Sequence, residues 1–510
     1  MSVDAPVQNA VRRFADRMAL IDGDRRWTFA ELGRLVNAVA GGLSRALAPG
    51  SRVGLFMRNR AEYLILQLAI ERAGLVRVPL NSLYTAHEVE RIVADCAAAA
   101  VFCDTASEAR VGGLEGSGIW LCNVEASSAG GQDWQTLTLT DPQMSGVHDD
   151  LDALCSINYT SGSSGQPKGV MLTHRNWRSV TRNMLIDRDI RGSDRLAHVG
   201  PLSHASGTYF TPFFLRGAAN IIVNGNWHQQ LLATIEREKV TAFSCVPTVL
   251  TRLLNSPDVD RYDTASLRWI GYGAEAIQPT TLDKAVARWG PILTHNYGLT
   301  EAMMTCVRLG PDDHFASTPD GGRRLRHGCI GSPYTFVDVV LRSPDGTAVA
   351  DGETGEITIR AEHVMQGYWK RPKETAEVLK DGWLWSGDLA RIGADGLIYL
   401  VGRSKEMLIS GGFNIYPREI ESCLSGCPGV EEAAVVGVPD REFGEIAVAF
   451  VVASPGHAAT AAACEAHCKP ILGFRTPKRW HFLAALPRTG NGKVDKNALK
   501  SHGVGGTVSP

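Results

Sequence analysis

Short apolar runs alternate with amphipathic helical segments along the first three hundred residues, and that alternation admits few folds. Arg52 to Met57 and Val76-Arg77-Val78-Pro79-Leu80 have the length and character of buried strands, and Glu62 to Ala73 between them is helical. Upstream, Trp27-Thr28-Phe29-Ala30-Glu31-Leu32 sets Thr28 as an N-cap with Glu31 three residues on, a capping box that opens a helix to about Leu47. The rhythm resumes from Leu196 to Cys306, with strand-like Ile221-Ile222-Val223, Ala242 to Val246 and Trp269 to Tyr272. Such βαβ units make a mostly parallel sheet with helices on both faces. Ligands of open α/β sheets collect where strands end in turn residues, as each of these runs does.

Residues 127–150 and 308–328 read as polar surface loops, and strand-rich sequence runs from Val337 to Val401. Past Arg403 the character changes to a small α+β unit. It has a strand-turn from Met407 to Ile415, a helix from Arg418 to Leu424 and strands from Glu432 to Val438 and Ile446 to Ala453. A helix near Ala461 to Cys468 and a strand near Trp480 to Leu483 follow, and the tail from Gly503 is expected to fray. The expected fold is therefore α/β: a large N-terminal domain over 1–404 of stacked, mostly parallel α/β sheets, and a small C-terminal α+β domain over 405–510. A chain of 510 residues exceeds what one core sustains, in keeping with two units.

A net charge of −2 leaves no electrostatic footprint for nucleic acid. No apolar run reaches the roughly 18–20 residues that cross a bilayer, and Met1 to Asp16 lacks the apolar core of a signal peptide. The eleven cysteines show no paired spacing: Cys423 and Cys427 have no matching second pair, and Cys464 and Cys468 sit four apart in an Ala-rich helical run. Reduced thiols and a cytoplasmic location are the expectation.

The chemistry concentrates in Tyr159-Thr160-Ser161-Gly162-Ser163-Ser164-Gly165-Gln166-Pro167-Lys168-Gly169-Val170, delivered by the apolar run Leu151 to Ile157. Glycines let the backbone approach an anion, hydroxyls and N–H groups ring phosphate oxygens, and Lys168 adds a point charge. Pro167 before the lysine and Gly169 after it exclude the Gly-Lys-Ser/Thr of a P-loop ATPase. The string resembles the signature loop of the adenylate-forming (ANL) superfamily, which includes acyl-CoA synthetases, peptide-synthetase adenylation domains and firefly-type luciferases.

Further segments extend that resemblance in family order, from about Ala19 to Lys496. His295-Asn296-Tyr297-Gly298-Leu299-Thr300-Glu301 resembles Y-G-x-T-E, which implies that Tyr297 stacks on adenine, Thr300 reaches a phosphate and Glu301 holds Mg2+. Asn296 and Gly298 join the nucleotide set. Gly271-Tyr272-Gly273-Ala274-Glu275 resembles the segment whose backbone lines adenine and the acyl pocket; Tyr272 and Glu275 depart from its commonest letters. Pro201-Leu202-Ser203-His204-Ala205-Ser206-Gly207 resembles the carboxylate-pocket segment, with His204, Ser206, Gly207 and Phe210 as gate or wall. Asp388 and Arg403 resemble the ribose-binding pair, Lys405 the hinge, and Gly411-Gly412 the border of the pantetheine tunnel. Lys493, in Gly490-Asn491-Gly492-Lys493, resembles the catalytic lysine.

The resemblance implies an AMP-forming acid–CoA ligase using ATP, Mg2+ and coenzyme A. Thr160, Ser161, Gly162, Ser163, Ser164, Gly165, Lys168 and Glu301 would hold the departing pyrophosphate, and Lys493 would bridge carboxylate and α-phosphate. Segments 201–210, 271–275 and 294–300 contain no Lys or Arg, which favours an apolar or aromatic monocarboxylate over a dicarboxylate. Loading of a carrier-protein phosphopantetheine is the alternative to coenzyme A, and a homodimer stays open.

Overall fold

The computed structural model describes residues 3–126, 133–139, 150–160, 167–224, 227–454, 456–457, 459–488 and 494–504. Ser161, Gly162, Ser163, Ser164 and Gly165 of the glycine-rich loop, and Lys493, lie outside these residues.

Two sheets make the larger part. One runs in space from Gly367–Tyr368 through Lys168–Thr173, Leu154–Thr160, Val76–Pro79, Arg52–Phe56 and Ala98–Cys103 to Trp120–Asn123. Its strands from Leu154–Thr160 outward pair in parallel. The second sheet has a parallel block of Met18–Asp22, Ala219–Ile222, Arg195–His198, Ala242–Cys245, Trp269–Gly273 and Leu293–Leu299. From Ala302–Leu309 onward it continues antiparallel to Ile398–Arg403, Trp383–Ile392 and Gly355–Arg360. The parallel pairs of this sheet thus all belong to the βαβ half.

The helices that join the parallel strands fill the space between and outside the sheets. Ala61–Arg72 is buried along nearly its whole length and carries almost no amphipathic signal, as a helix packed on all sides should. Phe29–Ala46 opens with both bonds of the Thr28–Glu31 capping box. Two expected loops contain structure. Trp134–Thr138 is a short helix capped by Asp133, and Phe315–Ser317 pairs with Arg323–Leu325 as a two-stranded ribbon. Neither run has the apolar periodicity that marks such elements in a sequence.

The small unit begins after Arg403. Its sheet orders Phe413–Ile415, Leu408–Ser410, Gly444–Ala453 and Val430–Asp440, with Arg479–Phe482 added in parallel. Helices Pro417–Ser425 and Ala461–Leu472 cover one face through Ile420, Leu424 and Leu472. Leu408–Ser410 and Phe413–Ile415 turn through Gly411 and Gly412 at φ +57° and +84°, the paired left-handed conformations of a two-residue hairpin that glycine alone adopts without strain. A last helix runs Lys496–Val504, and the tail expected to fray from Gly503 lies outside the described residues beyond 504. Among the described residues no helix is long and apolar enough to cross a membrane.

Candidate active site

Leu154–Thr160 and Lys168–Thr173 are antiparallel partners, with Thr160 opposite Lys168. The two strands therefore hold the ends of the glycine-rich segment side by side. The Lys168 ammonium lies 5.1 Å from the centre of the Tyr368 ring, and the Tyr368 hydroxyl donates to Glu301 Oε1 at 2.7 Å. Tyr368 comes from the short strand Gly367–Tyr368, which pairs antiparallel with Lys168–Thr173. Backbone N–H groups tie the same crossing together: Met365 N donates to Glu301 O at 2.8 Å and Trp369 N to Gly169 O at 2.7 Å. A cation from the loop and a carboxylate from the Tyr297–Glu301 motif thus meet across one buried phenol. Sequence reasoning missed Tyr368; the signal was an aromatic pair, Tyr368-Trp369, whose partner strand lies two hundred residues upstream.

The Tyr297–Glu301 motif lies at a strand end. Leu293–Leu299 runs to Leu299, and Thr300-Glu301 make the turn into Ala302–Leu309. At Gly298 a Cβ would meet Met304 Cα at 2.5 Å, so only glycine lets the hairpin close. Tyr297 is buried, and its hydroxyl donates to Asp388 Oδ2 at 2.8 Å. Arg403 Nε donates to the other oxygen, Oδ1, at 3.0 Å. Asp388 and Arg403 are cross-strand partners, which explains their fifteen-residue separation about one hairpin. Asp388 is 5% exposed while the Arg403 side chain is 59% exposed, so the guanidinium is open to a ligand and the carboxylate is fixed behind it. The Asp388 charge holds Arg403 above its ordinary range. Tyr297 places its ring against this pair rather than in the open.

Asn296 is committed differently. Its Oδ1 accepts from Tyr334 Oη at 2.8 Å and from Arg188 Nη2, and its Nδ2 donates to Tyr209 Oη at 3.1 Å. Arg188, outside the three segments read as pocket-lining, lies against the rings of Tyr209 and Trp269 at 5.3 and 5.0 Å. A cation therefore sits behind Asn296 that the sequence segments did not reveal.

The carboxylate-pocket segment divides. His204 is exposed at the start of helix Ala205–Leu215, with Ser203 Oγ 3.0 Å from Nδ1. Ser206 is buried and turned to His198, whose Nδ1 lies 3.1 Å from its Oγ. Phe210 is fully buried against Phe214 in the core between the layers, not on an open wall. Gly207 is required where a Cβ would strike Leu202 O at 2.1 Å. Tyr272, also buried, has its hydroxyl 2.9 Å from His314 Nε2. Gly271 carries the Trp269 ring against its Cα, and a Cβ on Gly273 would meet Asn296 O at 2.3 Å. Ala274 holds φ +67°, a strained conformation for a residue with a Cβ, at the carboxyl end of the central strand. Glu275 accepts from Thr248 Oγ1 at 2.8 Å.

Lys405 is exposed in the turn 404–406 between Ile398–Arg403 and Leu408–Ser410. Just beyond stands Arg418, at the start of helix Pro417–Ser425; burial lowers its affinity for the proton, and the charge of Asp388 opposes that effect. The residues on either side of the Lys493 loop are joined: Arg488 and Val494 form a bridge, and Asp495 N donates to Pro487 O at 2.8 Å.

The family model of the AMP-binding enzymes matches residues 7–369, and that of the AMP-binding enzyme C-terminal domain matches residues 419–493. Feruloyl-CoA synthase of Amycolatopsis sp is 36% identical over 501 residues, 97% of each chain. The solved amide bond synthetase McbA from Marinactinospora thermotolerans superposes with a TM-score of 0.88 at 28% identity, covering 98% of this chain and 99% of that one. The anthranilate CoA ligase AuaEII, solved with anthranoyl-AMP, gives 0.89 at 25% identity over 98% and 97%. With both family models matched in order along the chain, the protein belongs to the AMP-binding enzymes, the adenylate-forming superfamily of the acyl-CoA synthetases.

Proposed function

We propose that the protein is an AMP-forming acid–CoA ligase. It joins a carboxylic acid to ATP as acyl-AMP, releases pyrophosphate, and passes the acyl group to the thiol of coenzyme A. The observation that carries this reading is the meeting of Lys168, Tyr368 and Glu301 beside the glycine-rich loop, with Glu301 in the same motif as Tyr297 of the Tyr297–Asp388–Arg403 cluster.

In the first step a substrate carboxylate oxygen attacks the α-phosphorus and pyrophosphate leaves. The protein's work is positioning and charge neutralisation. Lys168 and the loop from Thr160 to Gly165 bind the β- and γ-phosphates; Asp388 and Arg403 bind the ribose; Lys493 bridges the carboxylate and the α-phosphate. Glu301 suits Mg2+: one oxygen is fixed by Tyr368, leaving the other for a hard cation that takes few protein carboxylates and several phosphate oxygens. When bound, Mg2+ neutralises phosphate charge. The unit from Lys405 onward then rotates about the exposed turn, moving Lys493 away and admitting pantetheine beside Gly411-Gly412.

The acid is an apolar or aromatic monocarboxylate. The named relatives that make feruloyl-CoA and anthranoyl-AMP act on aromatic acids, and the segments in question carry no Lys or Arg; Arg188 behind them spends Nη2 on Asn296 and Tyr334 and lies against the Tyr209 and Trp269 rings. A cytoplasmic location agrees with reduced thiols. Pyrophosphate release measured over aliphatic, hydroxycinnamic, benzoic and dicarboxylic acids tests the reading, with coenzyme A and a holo-carrier protein offered side by side. No release with any acid would defeat it, and a preference for malonate-type acids would defeat the substrate class.

A further inference from the structure

The small unit gathers four of the eleven cysteines in one place. Helix Pro417–Ser425 presents Cys423, the turn after it presents Cys427, and helix Ala461–Leu472 presents Cys464 and Cys468 one turn apart on the same face. The two helices pack on each other, so the i,i+4 spacings that look unrelated in sequence become partners across an interface. Cys423 Sγ lies 3.7 Å from Cys468 Sγ, and the thiols of Cys427 and Cys464 are hydrogen-bonding neighbours. Ile420, Leu424 and Leu472 surround them. Cys427, Cys464 and Cys468 are buried, and Cys423 alone among the eleven is part-exposed. Among the described residues no group of His, Cys, Asp or Glu is disposed to hold a metal ion, so the four thiols form two pairs rather than one tetrahedral set.

We propose that Cys423 and Cys468 are a dithiol modification site, closed to an intramolecular disulfide by a low-molecular-weight disulfide of the glutathione type. The Cys423 thiolate attacks one sulfur of the small disulfide, forms a mixed disulfide and expels the first small thiolate, which takes up the Cys423 proton. Cys468 then attacks Cys423 Sγ, the mixed disulfide breaks, and the second small thiol leaves with the Cys468 proton. Two protein thiols are oxidised and one small disulfide is reduced to two thiols. The sulfurs, 3.7 Å apart, must close to the roughly 2.05 Å of the bond. Burial raises both thiols, so closure is slow, and Cys423 is the entry point because it alone of the two is part-exposed. The bond would clamp the helix Pro417–Ser425, whose first turn carries Arg418.

The test uses the full chain, reduced, freed of reductant and incubated with oxidised glutathione. Intact mass and a non-reducing peptide map are read over hours. The site predicts loss of two hydrogens, a linked peptide pair carrying Cys423 and Cys468, and a raised melting temperature that dithiothreitol reverses. Cys423→Ser abolishes the linked pair. Cys427→Ser retains it, and serves as the informative variant if Cys423→Ser folds poorly. A glutathione adduct that persists on Cys423, linkage among other cysteines, or stoichiometric zinc that protects all four thiols would each overturn the proposal.

Discussion

Replacing Tyr368 with phenylalanine separates the two contacts that join Lys168 to Glu301. The ring, buried at 7% exposure, stays beneath the Lys168 ammonium, and only the hydroxyl is lost. That hydroxyl donates to an ionised carboxylate at 2.7 Å. Hydrogen bonds to charged groups contribute about 1.5–3 kcal/mol. Glu301 is partly exposed, so water replaces much of the lost donor and the lower end applies. About 1.4 kcal/mol corresponds to about tenfold. Pyrophosphate release at subsaturating Mg–ATP should therefore fall about tenfold in Tyr368→Phe, with little change in melting temperature. Glu301→Gln removes the charge itself and should weaken Mg2+-dependent ATP use further. Because Tyr368 acts through Glu301, the double variant should be hardly worse than Glu301→Gln alone. Additivity to within about 0.5 kcal/mol would mean that the residues act independently, and the reasoning would fail.

Lys405→Pro fixes φ near −65° and disfavours the α region at Ser404, so one domain arrangement should be trapped. Acyl-AMP formation should persist while thioester formation from supplied acyl-AMP falls steeply, with a melting curve as control; equal loss of both halves counts against a hinge there. Acid stability follows from buried histidines. Burial lowers His198 and His314 to about 4 and His295 and His363 to about 3, from 6.5. The unfolded chain takes up protons below 6.5 while the folded one does not, so stability is full above 6.5 and is lost as pH falls toward 4. A melting temperature that stays flat or rises from pH 7 to 5 would contradict this.

Local features were legible in the chain. The Thr28–Glu31 capping box needs only four residues, and Gly411-Gly412 between two short apolar runs marks its hairpin without reference to anything distant. Asp388 and Arg403 could be paired because one turn separates their strands. What stayed hidden depends on the meeting of remote segments. Tyr368 reaches Glu301 only because Gly367–Tyr368 joins a strand two hundred residues earlier. Arg188 arrives behind Asn296 from the end of the helix His174–Asp187. The four cysteines look unpaired until two helices are packed face to face. Phe210 sat in a motif with a pocket role, yet its ring is needed by the interlayer core.

The central claim is that one chain performs two separable half-reactions, of which only the first needs the lysine at 493. The decisive measurement runs both halves on Lys493→Ala. Loss of a charge-assisted contact made in the transition state should slow ATP-dependent pyrophosphate release by at least about 10²-fold. Thioester formation from synthetic acyl-AMP and coenzyme A should continue near the wild-type rate. Undiminished pyrophosphate release, or loss of thioester formation from supplied acyl-AMP, would contradict the account.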